Sequence, residues 1–268
     1  MKIIPKINSS HKNSTQILDS LCAKNVSAWY DEVPVLSNVC AQINAGEFTC
    51  LCGPNGSGKS TLLSILAGTT DSNLKINADF LSVNGMNKKT IAQNIAFMHQ
   101  SEYSTWNFSV EDLVLQGRFC HTKNGFYTDT DKTLAFQALQ TLKIENLAKR
   151  NVHTLSGGEF QKVKIARALC QNPRFILLDE PAANLDFVYE PWLMKFLSEL
   201  AHSQKIGILI SVHNVNMISN YADSLILLPL LKPSLNGTIK EILTEENLEK
   251  TYGMKFECQK INYFQSLQ

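Results

Sequence analysis

The stretch FTCLCGPNGSGKSTLLSILAG, from Phe48 to Gly68, decides the fold of this chain. It begins with a short apolar segment, continues through closely spaced glycines, and ends with apolar residues that repeat at helical spacing. This order predicts a strand, a tight loop and a helix. The loop contains the pattern G-x-x-x-x-G-K-[ST], which binds phosphate when a strand precedes it and a helix follows it.

The glycine loop is suited to hold a nucleotide mainly through main-chain donors and a helix N-terminus. Its glycines let backbone N–H groups surround the β-phosphate, Lys59 reaches the β and γ oxygens, and Ser60 offers a hydroxyl to Mg²⁺. The residues predicted to bind the nucleotide here are Gly53, Pro54, Asn55, Gly56, Ser57, Gly58, Lys59, Ser60 and Thr61.

The composition excludes several classes of protein. The 268 residues, 44% of them hydrophobic, can bury the core of one large domain or two small lobes. Lys and Arg total 25 and Asp and Glu total 24, so the chain lacks the broad positive field of a protein that wraps nucleic acid. Seven cysteines without a C-x-x-C pair indicate reduced cytosolic thiols. Cys50 and Cys52 share one face of the predicted strand, as small core residues.

Neither end of the chain has the pattern of a membrane or export segment. The apolar run LILLPLL, from Leu225 to Leu231, is far too short to span a bilayer and is interrupted by Pro229. The N-terminal residues include basic side chains but no apolar core of a secretory signal. We expect Met1 to about Asp19 to form a polar, loose extension.

An acidic pair follows a second predicted strand. In NPRFILLDEPAANLD, Asn172 and Pro173 end a helix, and the apolar run Phe175 to Leu178 has the length of a buried parallel strand. Asp179 and Glu180 follow at its carboxyl end, where open α/β sheets bind ligands. Asp179 is suited to hold Mg²⁺ through a water, and Glu180, which points the other way, can polarise a water for attack on the γ-phosphate.

A second glycine pair lies in LSGGEFQ, from Leu155 to Gln161. Ser156 and Glu159 form the S-x-x-E pattern of a capping box that opens a helix. Gly157 and Gly158 each cost about 1 kcal/mol relative to alanine in a first helical turn, so a function should offset them. Bare N–H groups and a serine hydroxyl at a helix N-terminus form a second anion site, which is useful if it serves the nucleotide of another copy.

Together these motifs, in this order, resemble the ATP-binding subunits of ABC transporters, and LSGGE is similar to their signature motif. The resemblance covers roughly Val26 to Gly253. It implies an α/β fold, the P-loop NTPase fold of the ABC type, with an antiparallel β part and a helical subdomain. In that family two copies pair head to tail. Each ATP then lies between the phosphate loop of one chain and the signature residues of the other, here Ser156, Gly157 and Gly158.

The resemblance also implies roles for side chains outside these motifs. Tyr30 is similar to the aromatic residue that stacks on adenine, with Trp29 as the alternative. Gln100 resembles the Q-loop glutamine that contacts Mg²⁺ and water. His213 resembles the switch histidine that contacts the γ-phosphate.

Two further positions lie near these residues. The segment NLD, residues 184–186, resembles the D-loop that crosses the dimer interface, which places Asp186 beside the nucleotide. Asn214 stands where the family usually has an aspartate after the switch histidine. We expect Asn214 to tune the switch region and to leave the role of the histidine intact.

A helical insert is expected from about residue 102 to 155, within one ABC domain that spans 20–268. Its segments SVEDLVLQGRF and TDKTLAFQALQTLKIENLA have apolar residues at helical spacing. The aromatic-rich stretch SEYSTWNFS before them fits either a packed subdomain core or a contact surface for a transmembrane helix. The stretches VEDLVLQGRFCH and EENLEKTYG resemble the family branch that imports iron-siderophore, haem or cobalamin, with Cys120 where proline is usual.

The resemblance implies an ATPase that uses ATP and Mg²⁺ to drive separate integral membrane permease subunits, with import of a metal chelate as the expected task. The expected location is peripheral, on the cytoplasmic side of the bacterial inner membrane, with only indirect contact to a periplasmic or extracellular binding protein. The expected catalytic residues are Glu180, His213 and Gln100, and the expected metal site is Ser60, Gln100 and Asp179.

Other functions stay open at this point. One is the ATPase subunit of an exporter or lipid-release system, and another is a soluble ABC-type ATPase that acts on ribosomes or DNA. The second kind usually carries two cassettes or long coiled-coil insertions, which this sequence lacks. A GTPase is disfavoured because NKKT, residues 87–90, lacks the acid of the guanine-reading motif. A non-hydrolysing regulatory subunit is disfavoured because the three expected catalytic residues are all present.

Overall fold

A computed structural model describes residues 18–100, 107–183 and 189–257 of the chain. The strands are β1 (Ser20–Tyr30), β2 (Val33–Asn44), β3 (Phe48–Cys52), β4 (Leu74–Asn77), β5 (Phe80–Leu81), β6 (Ile95–Met98), β7 (Phe175–Leu178), β8 (Gly207–Ser211), β9 (Ser224–Leu227) and β10 (Leu235–Thr238). The helices are α1 (Lys59–Ala67), α2 (Lys88–Asn94), α3 (Val110–Leu115), α4 (Asp129–Thr141), α5 (Gly157–Cys170), α6 (Tyr189–Gln204), α7 (Val215–Ile218), α8 (Ile239–Ile242) and α9 (Glu245–Tyr252). Short 3-10 helices cover Gln116–His121, Glu145–Leu147 and Val152–Thr154. None of the helices in these ranges is both long and apolar enough to cross a membrane.

A six-stranded sheet in the order β10-β9-β3-β8-β7-β6 positions the candidate site. All neighbouring pairs from β9 to β6 are parallel, and β10 is antiparallel to β9. Because parallel strands end at the same edge, the residues that follow β3, β6, β7 and β8 lie along one edge of the sheet. The predicted strands before the phosphate loop and before the acidic pair are therefore two members of one sheet.

A second sheet is antiparallel and contains β1, β2, β4 and β5. It confirms the antiparallel β part that the sequence predicted. Tyr30 is the last residue of β1 and lies opposite Val33 of β2 and Leu74 of β4. Of the predicted leader, Leu18 and Asp19 fall within the described ranges. Leu18 is buried, and the carbonyl oxygen of Asp19 accepts a hydrogen bond from Ala45 N–H.

Apolar clusters cover both faces of the six-stranded sheet. On β3, Phe48, Cys50 and Cys52 belong to one cluster and Leu51 belongs to the other, as the alternation of a strand requires. Cys50 and Cys52 are fully buried, which confirms their predicted place in the core. Burial raises the pKa of the Cys52 thiol to about 12, so this cysteine stays protonated and unreactive.

The described part of the expected insert packs its helices on α5. Val110 of α3 and Leu139 of α4 are fully buried in the same cluster as Phe48 of β3. The helix α3 is shorter than the sequence predicted, because the backbone tightens into a 3-10 helix at Gln116. There Gly117 passes so close to α5 that a β-carbon would lie 2.3 Å from Arg167 O. The predicted start of the insert and most of SEYSTWNFS lie outside the described residues.

Candidate functional site

The phosphate loop joins β3 to α1 and needs glycine at two positions. Gly58, the N-cap of α1, has a φ of 92°, in the left-handed region that glycine adopts without strain. Gly53 has an ordinary conformation, but a β-carbon on it would lie 2.3 Å from Leu228 O, just after β9. Gly58 is also closely packed, because a β-carbon on it would lie 3.0 Å from Val35 O of β2. Close approach of another segment therefore requires glycine at both positions, and the left-handed turn requires it at Gly58 in addition.

Lys59 lies inside this loop. Its Nζ donates to Gly53 O at 3.0 Å and to Pro54 O at 3.2 Å, and the residue is only 5% exposed. An ammonium group has three donors, so these two carbonyls leave one donor for a further acceptor. Ser60, the next residue, is exposed at the first turn of α1. An ammonium and a hydroxyl at a helix N-terminus together favour a phosphate group.

Asp179 and Glu180 follow β7, as predicted, and a serine of the neighbouring strand contacts both. Ser211, the last residue of β8, donates its hydroxyl to Asp179 Oδ1 at 2.7 Å. The same Oγ accepts a hydrogen bond from Glu180 N–H at 2.7 Å. Asp179 is 3% exposed and Ser211 is fully buried. A buried carboxylate needs such a donor, because leaving it without a partner is costly.

Glu180 has an unusual backbone conformation. Its φ is 45°, in the left-handed region, where a residue with a β-carbon carries strain of about 1–3 kcal/mol. Two contacts hold the residue there. Ser211 Oγ accepts from its N–H, and its carbonyl oxygen accepts from Ala183 N–H at 3.1 Å. Strain of this kind persists where the surrounding structure fixes a functional group.

Gln100, Glu180 and His213 meet, although they follow three different strands. Gln100 Nε2 donates to Glu180 Oε2 at 2.6 Å. His213 Nε2 lies 2.6 Å from Glu180 Oε1. The side chain of Glu180 is 15% exposed and that of His213 is 50% exposed. Each oxygen of the carboxylate thus has a different partner, which fixes its direction near the sheet edge.

Asn214, the departure from the usual aspartate, caps the short helix α7. Its side chain accepts a hydrogen bond from Asn216 N–H at 3.2 Å. Asparagine and aspartate are about equally good N-cap residues. The substitution therefore keeps the start of the helix that follows His213.

The serine and the glycine pair of LSGGE lie at the exposed N-terminus of α5, a helix of 14 residues. The predicted capping box is present: Ser156 Oγ accepts from Glu159 N–H, and Glu159 Oε2 accepts from Ser156 N–H at 2.8 Å. The bond from Ser156 N–H holds the pKa of Glu159 below its usual value. A β-carbon built on Gly158 would meet no atom within 4 Å in the described structure. Packing among the described residues thus gives no reason for that glycine.

Tyr30, with Trp29 as its alternative, and Asp186 are further predicted nucleotide contacts. Tyr30 is half-buried and packs against the apolar cluster that the antiparallel sheet shares with α1. Trp29, the alternative, is also half-buried and pairs with Pro34 of β2. Asp186, with the rest of the predicted D-loop, lies outside the described residues.

The segment QGRFCH, residues 116–121, connects the insert to the end of α5 through hydrogen bonds. Arg118 is 7% exposed, and it donates to Asp131 Oδ1 at 2.9 Å and to Cys170 O at 3.1 Å. His121 Nε2 lies 2.9 Å from Gln171 O. Burial and the Arg118 charge lower the pKa of His121, so its neutral form is favoured. A cation beside the last carbonyls of a helix also stabilises the helix dipole.

Residues 36–183, more than half of the chain, match the family model described as ABC transporter. The matched region contains the phosphate loop, the signature residues and the acidic pair. The chain belongs to the ABC transporter ATP-binding proteins. It is therefore the ATP-binding, ATP-hydrolysing subunit of a transport system, which confirms the function and fold predicted from the sequence.

Relatives of this ABC ATPase match it along most of their length. It is 32% identical over 240 residues to the hemin import ATP-binding protein of Burkholderia ambifaria. The aligned region covers 82% of this chain and 88% of that protein. It is 32% identical over 240 residues to the petrobactin import ATP-binding protein of Bacillus subtilis, with coverage of 89% and 95%. It is 34% identical over 234 residues to the manganese transport system ATP-binding protein of Bacillus subtilis, with coverage of 85% and 90%.

Solved structures of ABC transporters share the fold. A metal-chelate type ABC transporter in an inward-facing conformation superposes with a TM-score of 0.75 at 31% identity, and covers 88% of this chain and 90% of that one. A bacterial ABC transporter cassette solved as a dimer superposes with a TM-score of 0.67 at 25% identity, with coverage of 82% and 98%.

Ser211 contacts two candidate site residues of this ABC ATPase, Asp179 and Glu180, and sequence reasoning missed it. It is the last residue of the predicted strand before His213, in GILIS. A polar residue that ends an apolar strand at the ligand-binding edge of a sheet was the available signal. Its partners Asp179 and Glu180 precede it by about thirty residues, so no local pattern identifies them.

Proposed function

We propose that this ABC ATPase holds MgATP between two copies of the chain and powers membrane permease subunits that import a metal chelate. The observation that supports hydrolysis most directly is the contact of Glu180 with Gln100 and His213. All three lie at the sheet edge that also carries the phosphate loop. A carboxylate held there can take a proton from a water that attacks the γ-phosphate.

Each of these residues has a distinct task in the proposal. Glu180 is the general base, and its direction is set by the donors on its two oxygens. His213 is half exposed, which lets its ring turn to an oxygen of the γ-phosphate. Lys59, with one donor left over, binds the β and γ oxygens. Gln100 uses its amide N–H on Glu180, so its amide oxygen is left for a water or a metal ion.

The donors at this edge fit Mg²⁺. The Ser60 hydroxyl, the Asp179 carboxylate and the Gln100 amide supply hard oxygen ligands, and Ser211 uses only one oxygen of Asp179. Among the described residues no group of three or more His, Cys, Asp or Glu could hold a metal ion. A magnesium site completed by nucleotide phosphates needs no such group. When bound, the ion neutralises charge on the phosphate oxygens.

The proposal needs two copies because the chain has two separate anion sites. The N-terminus of α5 presents Ser156 and Gly157 at the surface, with Gly158 half-buried beside them, and no contact among the described residues explains Gly158. Its free N–H groups and the helix dipole suit the γ-phosphate of an ATP held by a partner. The dimeric bacterial cassette supports this pairing. In such a dimer Tyr30 stacks on adenine and Asp186 lies beside the nucleotide.

The proposed cargo follows from the relatives. Two of them are named for import of hemin and petrobactin, and a structural neighbour is a metal-chelate type transporter. The QGRFCH segment, which resembles the same branch, fastens the insert to α5. The insert, about residues 102–155 within a domain of 20–268, is the part proposed to face the permease. The subunit then lies at the cytoplasmic side of the bacterial inner membrane and meets a binding protein only indirectly.

A second candidate cargo is a metal ion without a chelator. The manganese transport relative, at 34% identity, favours it. Both candidates share the ATPase chemistry, since cargo selection belongs to the permease and the binding protein. An ATPase subunit of an exporter would differ from both import candidates, because only an importer responds to a loaded binding protein outside the membrane.

Substitution Glu180→Gln tests the proposed hydrolysis. The amide keeps the size and the hydrogen-bond contacts but cannot act as a base. Turnover should fall by about 10²–10⁴, while MgATP binding persists and the protein accumulates as a dimer in size-exclusion chromatography. Glu199→Gln, the same change at an exposed position of α6, is the control and should keep full turnover. Full turnover in Glu180→Gln contradicts the proposed role.

Cargo is tested with the membrane complex that co-purifies with the tagged chain. Reconstituted into vesicles, the complex should hydrolyse ATP faster when its binding protein is loaded with a haem or siderophore chelate than when it is empty. Stimulation by free Mn²⁺ alone favours the second candidate. A rate of ATP hydrolysis that is the same with every loaded binding protein as with the empty one contradicts import.

A further inference from the structure

Ser211 is a fully buried serine that none of the sequence motifs assigns to a task. It ends β8, two residues before His213, and the rest of that strand is glycine and apolar residues that are also buried. A hydroxyl in such surroundings is costly unless it is hydrogen-bonded. Its presence among apolar neighbours therefore requires partners that make use of it.

The hydrogen bonds of Ser211 have a fixed direction. A carboxylate only accepts, so the Ser211 hydroxyl donates its single proton to Asp179 Oδ1 at 2.7 Å. The lone pairs of Oγ are then turned toward Glu180 N–H, which donates to them at 2.7 Å. Asp179 thus orients the hydroxyl, and the hydroxyl orients the peptide group of the next residue.

The peptide group in question is the one under strain. Glu180 has a φ of 45°, a conformation that residues with a β-carbon rarely adopt. Its carbonyl oxygen is held by Ala183 N–H, but that bond lies within the turn after β7. The bond from its N–H to Ser211 joins this backbone directly to the neighbouring strand. The direction of the Glu180 side chain depends on this backbone.

We propose that Ser211 is a positioning residue for Glu180. Its hydroxyl, oriented by Asp179, holds the Glu180 backbone in the left-handed conformation that directs the carboxylate to Gln100 and His213. The inference rests on the proposed role of Glu180 as general base. Without the hydroxyl the peptide relaxes and the carboxylate moves away from the attacking water, although the phosphate loop is untouched.

Three substitutions in the full-length chain test this inference. Ser211→Ala should lower kcat by about 10- to 100-fold, the usual effect of losing a residue that positions another. It should change the Kd for ATP measured without Mg²⁺ by less than about threefold, because the phosphate loop keeps its contacts whereas Asp179, a proposed magnesium ligand, loses a donor. Ser211→Thr and Ser211→Val form a matched pair, because both add the same methyl bulk and only threonine keeps the hydroxyl. Threonine should keep kcat within about threefold of the parent, and valine should resemble alanine.

Equal kcat values for the threonine and valine variants overturn the inference, as does an alanine variant with the parent's kcat. The double variant Ser211→Ala with Glu180→Gln distinguishes an effect of Ser211 through Glu180 from a general loss of activity. If Ser211 acts through Glu180, Ser211→Ala causes no further loss of kcat in the Glu180→Gln chain. If the double variant instead loses kcat by the product of the two single losses, the inference is overturned. Full turnover of Glu180→Gln alone defeats the proposed function instead, so the two failures are distinguishable.

Discussion

His213 Nε2 and Glu180 Oε1 are 2.6 Å apart, although the two residues are 33 positions apart in the chain. The contact joins the ends of β7 and β8, which are neighbouring parallel strands. It places an imidazole ring against the proposed base at the edge of the sheet. The ring is half exposed, which leaves it room to turn to a phosphate oxygen in the proposed site.

Replacing His213 with alanine should lower kcat by about 10²-fold or more, because one oxygen of Glu180 and one oxygen of the γ-phosphate each lose a partner. Steady-state hydrolysis at saturating MgATP measures this. His202→Ala is a matched control, since His202 is also 50% exposed and its Nε2 lies 2.8 Å from Asp223 Oδ2. The control should keep kcat within about threefold, and equal losses in both variants contradict a specific role for His213.

Lys59→Ala should weaken ATP binding without unfolding the loop. A charge-assisted phosphate contact contributes about 1.5–3 kcal/mol, so the Kd measured by calorimetry should rise by about 10- to 150-fold. Lys250→Ala removes an exposed lysine that pairs with Glu246 and serves as the control. An unchanged Kd in Lys59→Ala contradicts the phosphate-loop assignment.

Gly158→Ala separates the stability of the single chain from the activity of the pair. The added β-carbon meets no atom of the described residues within 4 Å, so the free energy of unfolding should stay the same or rise by up to about 1 kcal/mol. If a partner's ATP approaches this turn, turnover should nevertheless fall, because the methyl group lies where the phosphate must fit. Urea unfolding and ATPase assays on one preparation measure both quantities. A stable variant with full turnover argues against the shared site.

Arg118→Met should destabilise the chain by about 3–5 kcal/mol, because it leaves the buried Asp131 carboxylate without its cation. Lys132→Met removes the cation of an exposed pair on the same helix and should cost at most about 1 kcal/mol. Urea unfolding of the two variants gives the difference. Similar costs for both substitutions contradict the structural role of Arg118.

The buried ion pair of Arg118 with Asp131 also predicts how the free energy of unfolding depends on pH. Burial acts to raise the pKa of Asp131, but hydrogen bonds from Arg118 and Thr128 outweigh it and hold the pKa below its usual value. A group with a depressed folded-state pKa stabilises the fold above its unfolded pKa of about 3.9, and this contribution is lost as the pH falls further. The loss of stability on acidification below about pH 4 should therefore be smaller in Asp131→Asn than in the parent. Identical pH profiles contradict the linkage.

Local patterns predicted much of the local structure around the candidate site. The strand, loop and helix around Lys59, the capping box of Ser156 with Glu159, and the acidic pair after β7 each depend on residues close together in the sequence. Periodicity predicted the helices of the insert as well, although it did not show that α3 gives way to a 3-10 helix at Gln116.

The features that the sequence did not reveal depend on contacts between distant segments. Ser211 finds Glu180 only when β8 pairs with β7, and Arg118 reaches Cys170 across 52 positions. The left-handed backbone of Glu180 is a response to such contacts, since glutamate has no preference for it. Pairing and close packing of distant elements decide these features, and neither leaves a pattern along the chain.

The apolar cluster under β3 continues without a break into α3, α4 and α5. The helices next to the signature glycines therefore share one dense interior with the strand that leads to Asp179. A packed interior does not deform gradually, and it moves between a few discrete arrangements. If the insert meets the permease as proposed, a movement of the permease would reach the strand before Asp179 in discrete steps, without a continuous series of intermediates.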